Sequence, residues 1–288
     1  MILALAIKTR NNQPMINTVA SLRIDRLYHY QSFEKPEQIA RIFTDGTLYF
    51  SKPSNFNDPW DCRPFFNKAG LDDPKEYERT VQWFVNCDRN NTLLSSGERS
   101  RREQEIRANP KLLECCIDQM SADMERAIQE QYRVYCLSTC PDSTLMWSHY
   151  ADSCKGICLE FGVRNNLFCA ALPVEYLGSY PMFSVAATDE YSNLRPLLTK
   201  SDDWDYEDEF RLVASEHPST FPGVPTTKGG FLPFPKEALQ SVIVGAQMSQ
   251  NDRELIRTII NGSGWDVALK AAVRVPDRYS FKISPLEQ

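Results

Sequence analysis

The chain has 288 residues, of which 42% are hydrophobic and 11% aromatic. That is enough to bury a sizeable core in one large domain or two small ones, and it excludes a disordered chain. A formal charge of -6 argues against a broad nucleic-acid-coating surface, though not against a local basic pocket for one nucleotide or phosphate.

Residues 1–24 read as a loosely ordered segment. Its apolar opening, Met1 to Ile7, lacks a preceding basic region and is too short to span a bilayer. No other stretch reaches membrane length. Leu27–Tyr30 reads as a strand, Pro36–Phe43 as a helix stopped at Asp45-Gly46, and Thr47–Ser51 as a second strand. A loop rich in Asn, Asp and Pro follows, with Ser54 to Asp61 as its densest part. Residues of about 71–133 are charged and helical, broken at Pro110. There Ile117, Met120, Met124 and Ile128 recur at spacings of three and four, the stripe of a packed face. Arg99, Arg101 and Arg102 read as a solvated face.

Val134–Ser138 returns to strand. After it comes Met146-Trp-Ser-His-Tyr-Ala-Asp152, with Lys155-Gly156, a mixture poorly suited to a helix face or a core strand. In Gly156–Phe161, Ile157, Leu159 and Phe161 point one way, Cys158 and Glu160 the other. The region up to Thr199 is mostly loop with a short helix. Glu207–Ser215 is a strand, Pro218–Gly230 a loop, Val242–Val244 a strand, Asn251–Ile260 a helix, and Trp265–Val275 and Ser280–Ile283 are strands. The sum is an α+β fold over 25–288: a single domain with a mixed central sheet and a helical insertion. Leu27–Tyr30, Leu48–Ser51, Val134–Ser138, Gly156–Phe161 and Glu209–Ala214 are expected in that sheet.

The nine cysteines are scattered and form no Cys-x-x-Cys. They read as free thiols in a reducing cytoplasm, and no metal site is expected. No Walker loop or Gly-x-Gly-x-x-Gly occurs, and neither Ser148 nor Cys154 sits in a nucleophile elbow.

Chemistry concentrates in three clusters. Extended backbone over 207–213 puts Glu207, Glu209 and Arg211 in one row, away from Phe210 and Leu212. Such a row suits a general base or electrostatic clamp; it equally suits a solvent-facing ion-pair ladder. Asn57 and Asp58 are placed to hold a ribose hydroxyl or an amide, or to cap a turn. Trp147, His149, Tyr150 and Lys155 form the third candidate group, and His29 lies on the first strand between two tyrosines. Asn57, Asp58, Trp147, His149 and Tyr150 are expected to converge, with Glu207 or Glu209 facing the cleft of His29 or His149.

The runs Leu27–Tyr30, Gly46–Ser51, Pro53–Asp61, Leu145–Phe161, Trp204–Leu212 and Ser241–Gly245, in this order and spacing, resemble the bacterial family called "domain of unknown function 2971", over roughly residues 25–285. That family carries no established activity. The opening pattern of strand, helix and Gly-Thr-Leu strand is also similar to ADP-ribosyltransferase-type folds. That resemblance implies His29 on the adenosine ribose or nicotinamide amide, Tyr49 or Tyr150 stacked on the nicotinamide, and Ser51 or Ser138 on the middle strand. Glu207 or Glu209 would hold the ribose hydroxyl beside an oxocarbenium-like centre. NAD is then the candidate substrate, a small nucleotide or a protein the acceptor, and bacterial conflict or phage defence the setting. The alternative is a non-catalytic sensor that holds a small ligand or partner in the same pocket. A third is a buried polar network that fixes the fold.

Overall fold

The computed structural model describes residues 18–66, 68–86, 94–181, 183, 194–218 and 223–286. Most of the N-terminal segment expected to be loosely ordered therefore lies outside the described residues, as does part of the 218–230 loop. The fold is α+β. Its strands are β1 (Arg26–Gln31), β2 (Thr47–Tyr49), β3 (Tyr132–Ser138), β4 (Ile157–Gly162), β5 (Leu172–Pro173), β6 (Glu175–Leu177), β7 (Thr199–Ser201), β8 (Glu209–Ser215), β9 (Phe231–Pro233), β10 (Leu239–Val244), β11 (Ala268–Arg274) and β12 (Phe281–Pro285). The helices are α1 (Pro36–Asp45), α2 (Pro74–Asn86), α3 (Ser96–Ala108), α4 (Pro110–Gln131), α5 (Thr144–Tyr150) and α6 (Gln250–Ser263).

Eight strands form the main sheet in the order β12-β11-β10-β4-β1-β3-β8-β5. The sheet is mixed: β10 and β11 are parallel, joined through α6, while the other neighbours run antiparallel. A parallel pair needs such a crossover, whereas the antiparallel β11–β12 pair needs only a short turn. By compactness the chain divides into two units. One comprises the described residues up to Asn55, Gln131–Tyr176 and Asp202 onward; the other comprises Phe56–Glu130 and Leu177–Ser201.

In the first unit, strand alternation sorts side chains onto two faces of the sheet. One face carries Leu27, Leu137, Leu159, Phe161, Leu212 and Val242, packed with Ile39, Ile42 and Phe43 of α1 and Ile256 and Ile260 of α6. The opposite face carries Tyr30, Cys158, Ile243, Ala272 and Phe281, packed with Met146 and Trp147 of α5. The alternation expected for Ile157, Leu159 and Phe161 against Cys158 matches this division. Leu48–Ser51 does not join the main sheet. β2 pairs with β9, and Ser51 makes an isolated bridge to Val134. Gly230 between them adopts φ 83°, and a Cβ there would lie 2.7 Å from the Tyr49 ring. Only glycine fits that approach.

The second unit holds α2, α3 and most of α4. Its core joins Val81, Phe84, Val85, Ile106, Leu113 and Ile117, with Met120 and Met124 partly buried against them. The expected stripe is thus packing. Ser95 and Glu98 close a capping box on α3, which offsets the helix's scarcity of buried residues. Pro110 opens α4 after the break at Asn109, as expected of a residue that cannot continue a preceding helix.

Candidate functional site

The run expected to be non-helical forms a short helix, α5, because Ser143 caps it by accepting from Met146 N at 3.4 Å and because its apolar side is anchored. Trp147 is fully buried, donates from Nε1 to Pro141 O at 2.8 Å and meets the edge of Tyr30 at 5.1 Å. It is a core residue. The helical turn instead leaves Ser148 and His149 exposed.

Beyond α5 the backbone is strained. Asp152, Ser153 and Cys154 have φ of 44°, 51° and 66°, a left-handed conformation costing about 1–2 kcal/mol per residue. Surrounding bonds hold it. Cys154 N donates to Trp147 O at 3.0 Å and Ser153 N to Ser148 O at 3.2 Å, while Gln247 N donates to Cys154 O at 2.9 Å. Lys155, at the outside of this turn, is exposed.

The carboxylate cluster lies on the α5 side of the sheet. The single row expected for Glu207, Glu209 and Arg211 is interrupted, since Asp208 has φ 42° and Glu207 ends a 3-10 helix over Asp202–Glu207. A left-handed residue breaks the alternation on which the row depended. The solvent-facing ladder is equally overturned, because Glu207, Glu209 and Arg211 are all buried. Arg211 donates to Glu209 in bidentate fashion, Nε to Oε1 and Nη2 to Oε2, both at 2.9 Å. Glu209 N donates to Tyr176 Oη at 2.8 Å. Tyr150 Oη donates to Glu207 Oε1 at 2.5 Å. Ser138 Oγ donates to Glu207 O at 2.6 Å, and the Thr139 hydroxyl donates to the Asp208 carboxylate.

An aromatic edge runs from this cluster to the surface. His149 lies 6.2 Å, centroid to centroid, from both Tyr150 and Tyr206, and Tyr206 lies 6.1 Å from Trp204 at 39°. Trp204, Tyr206, His149 and Tyr150 thus form a continuous line of rings whose last hydroxyl rests on a buried carboxylate. Trp204 and Tyr206 are not among the residues singled out from sequence, although the run Trp204–Leu212 contains them and was the available signal.

His29 and Glu209 lie on opposite faces of the sheet: the His29 ring stacks on Tyr135 at 4.1 Å, and Tyr135 belongs to the core of the α1 and α6 face. Nδ1 of His29 lies 2.7 Å from Cys136 O, which can only accept, so Nδ1 donates. Burial lowers its pKa to about 4, only partly offset by the Cys136 carbonyl. Tyr49 is exposed and packs on Phe231 at 5.2 Å. Ser51 is bonded through its backbone to Val134, four residues along β3 from Ser138, or about 13 Å at the strand rise. Asn57 and Asp58 belong to the second unit. Asp58 Oδ1 accepts from Trp60 N at 2.9 Å, the turn-capping role weighed for it. Nearby in that unit, buried Lys200 and Asp61 approach to 3.9 Å.

Among the described residues no three His, Cys, Asp or Glu side chains are grouped to hold a metal ion, and no helix is long and apolar enough to cross a membrane. Comparison of the chain with family models, curated proteins and solved structures gave no match.

Proposed function

We propose that the protein handles a nucleotide or a similar planar heterocycle, seated against the Trp204–Tyr206–His149–Tyr150 edge. The observation that carries this reading is the line of rings ending on the buried Glu207 carboxylate. Stacking on an aromatic side chain is worth about 1–3 kcal/mol per base and tolerates any base, since each has a π face. Tyr150, held by Glu207, fixes the inner end of the edge, and His149 at the surface adds a ring nitrogen for a polar ring substituent.

Binding is the part of the earlier expectation that this geometry supports best. A transferase arrangement that pairs His29 with Glu209 has the sheet between its two members. Glu209 is tied to Arg211, so NAD chemistry at this edge would fall to Glu207 through Tyr150. Thermal-shift titration with NAD, ADP and AMP tests the proposal, because a ligand bound only by the folded state raises the melting temperature. At least one nucleotide should stabilise the wild type, and Tyr206→Ala should weaken that binding about tenfold or more, equivalent to about 1.4 kcal/mol. Absence of any shift, or an equal shift in the variant, overturns the assignment. NAD turnover abolished by Glu207→Gln would extend it to catalysis.

A further inference from the structure

A second polar cluster in the first unit is built from residues other than those of the aromatic edge. Glu160 of β4 is buried, on the same face of the sheet as Cys158. Sheet pairing sets Tyr28 of β1 on one side of it and Ser241 of β10 on the other. Its carboxylate accepts from the Ser241 hydroxyl, from Lys270 Nζ at 2.5 Å and is paired with Arg26 Nε at 3.3 Å. Burial pushes the Glu160 pKa up, but the bonds from Lys270 and Ser241 and the charges of Lys270 and Arg26 outweigh it, and the group stays below the usual carboxylate range.

A cavity of about 200 Å³ opens over this cluster, lined by Tyr28, Glu160, Lys270 and Ser284 among polar residues and by Ile243 and Ile283 among apolar ones. Its hydrogen-bonding inventory is lopsided. Glu160, the carboxylate in the wall, already takes two donors and an ion pair. Lys270 has three N–H groups and spends one on Glu160. The Tyr28 hydroxyl donates to no other described residue, and burial, then Glu160, pushes its pKa up to about 12, so it is a proton donor at neutral pH. The charges of the wall itself, Lys270 and Glu160, balance, as do Arg26 and Asp142, which both act on Tyr28. Donors in excess and apolar walls call for a ligand with a group rich in acceptors on a small apolar body.

We propose that this cavity is a binding site for a small organic carboxylate, whose carboxylate lies between Lys270 Nζ and Tyr28 Oη and whose apolar body lies against Ile243 and Ile283. The site shares no residue with the aromatic edge and stands or falls separately from it.

Benzoate is the probe, with neutral benzamide as its near-isosteric control, followed by amide chemical shifts of the ¹⁵N-labelled full chain. Benzoate should perturb Ile243, Ala271 and Ser284 saturably, and benzamide should bind about tenfold more weakly or worse. Tyr28→Phe and Lys270→Met should each lose about tenfold in benzoate affinity, while Tyr206→Ala leaves it unchanged. Tyr28→Phe removes one oxygen and preserves the fold, so it decides the matter if Lys270→Met fails to fold. Equal binding of benzoate and benzamide, unchanged affinity in Tyr28→Phe, or no saturable perturbation near the cavity overturns the proposal.

Discussion

Arg211 is fully buried and its guanidinium grips both oxygens of Glu209. Burying two charges costs several kcal/mol per ion, which their attraction repays only with such bidentate geometry. Arg211→Met should therefore destabilise the protein by about 3–5 kcal/mol, because Glu209 stays buried without that partner. The double variant Glu209→Leu/Arg211→Met should recover most of the loss, as read from urea unfolding midpoints. A double variant as unstable as the single one would show that the pair contributes more than mutual neutralisation. His29 gives a different signature. Its folded pKa of about 4 lies below the ordinary 6.5, so the folded state disfavours the proton. Its contribution is complete above pH 6.5 and is lost as pH falls toward 4. Wild type should lose roughly 3 kcal/mol more across that window than His29→Gln, which keeps a donor for Cys136 O. Parallel stability profiles for the two proteins would contradict the neutral, partly buried assignment.

Among the elements, the turn after α5 depends on two glycines. A Cβ on Gly245 would lie 2.1 Å from Cys154 O, and one on Gly156 would lie 2.3 Å from Gln31 O. Both contacts are with backbone, which has no side chain to swing aside. Gly245→Ala and Gly156→Ala should each cost about 2–4 kcal/mol, whereas Gly262→Ala, with nothing within 4 Å, should be neutral or stabilising by up to about 1 kcal/mol. Thermal melts of the three variants check this ordering. Neither requirement was legible in the sequence, because the atoms that meet Gly245 come from a turn about ninety residues earlier. Local pattern did predict β4, whose alternation sorts its side chains correctly, and α1 and α6, whose apolar spacing and glycine stops are local signals. It misjudged α5, where the Ser143 cap was visible but burial of Trp147 was needed to stabilise so short a helix. It also carried Glu207 into β8, since a left-handed Asp208 leaves no periodic trace. The Glu160 cluster was missed because its partners Ser241 and Lys270 stand 81 and 110 residues away. The available clue was a single carboxylate among the apolar residues of β4.

At the scale of the whole molecule, the sheet is woven from distant segments. β1 sits between β3 and β4, and even its side-chain bond from His29 to Cys136 spans 107 residues. Order of this kind is non-local, which slows folding, and the outer strands of the sheet are C-terminal. Among the described residues, β10 is covered on its outer side only by β11, and β11 only by β12. A chain ending at Gly264 would leave the fully buried Val242, Ile243 and Val244 on an open sheet edge, a template for pairing with other copies. It should aggregate. A chain ending at Tyr279 loses β12 alone and keeps β10 paired with β11. Phe281, buried against Trp147 at 6.2 Å, goes with it, at a cost comparable to a buried Phe→Ala change of about 3–5 kcal/mol. That chain should run as a discrete species on size exclusion but unfold at a lower midpoint. It should also lose benzoate binding, since Ile283 and Ser284 wall the cavity. If the chain ending at Gly264 were equally soluble and cooperative, β11 would not be protecting β10 as the strand order requires.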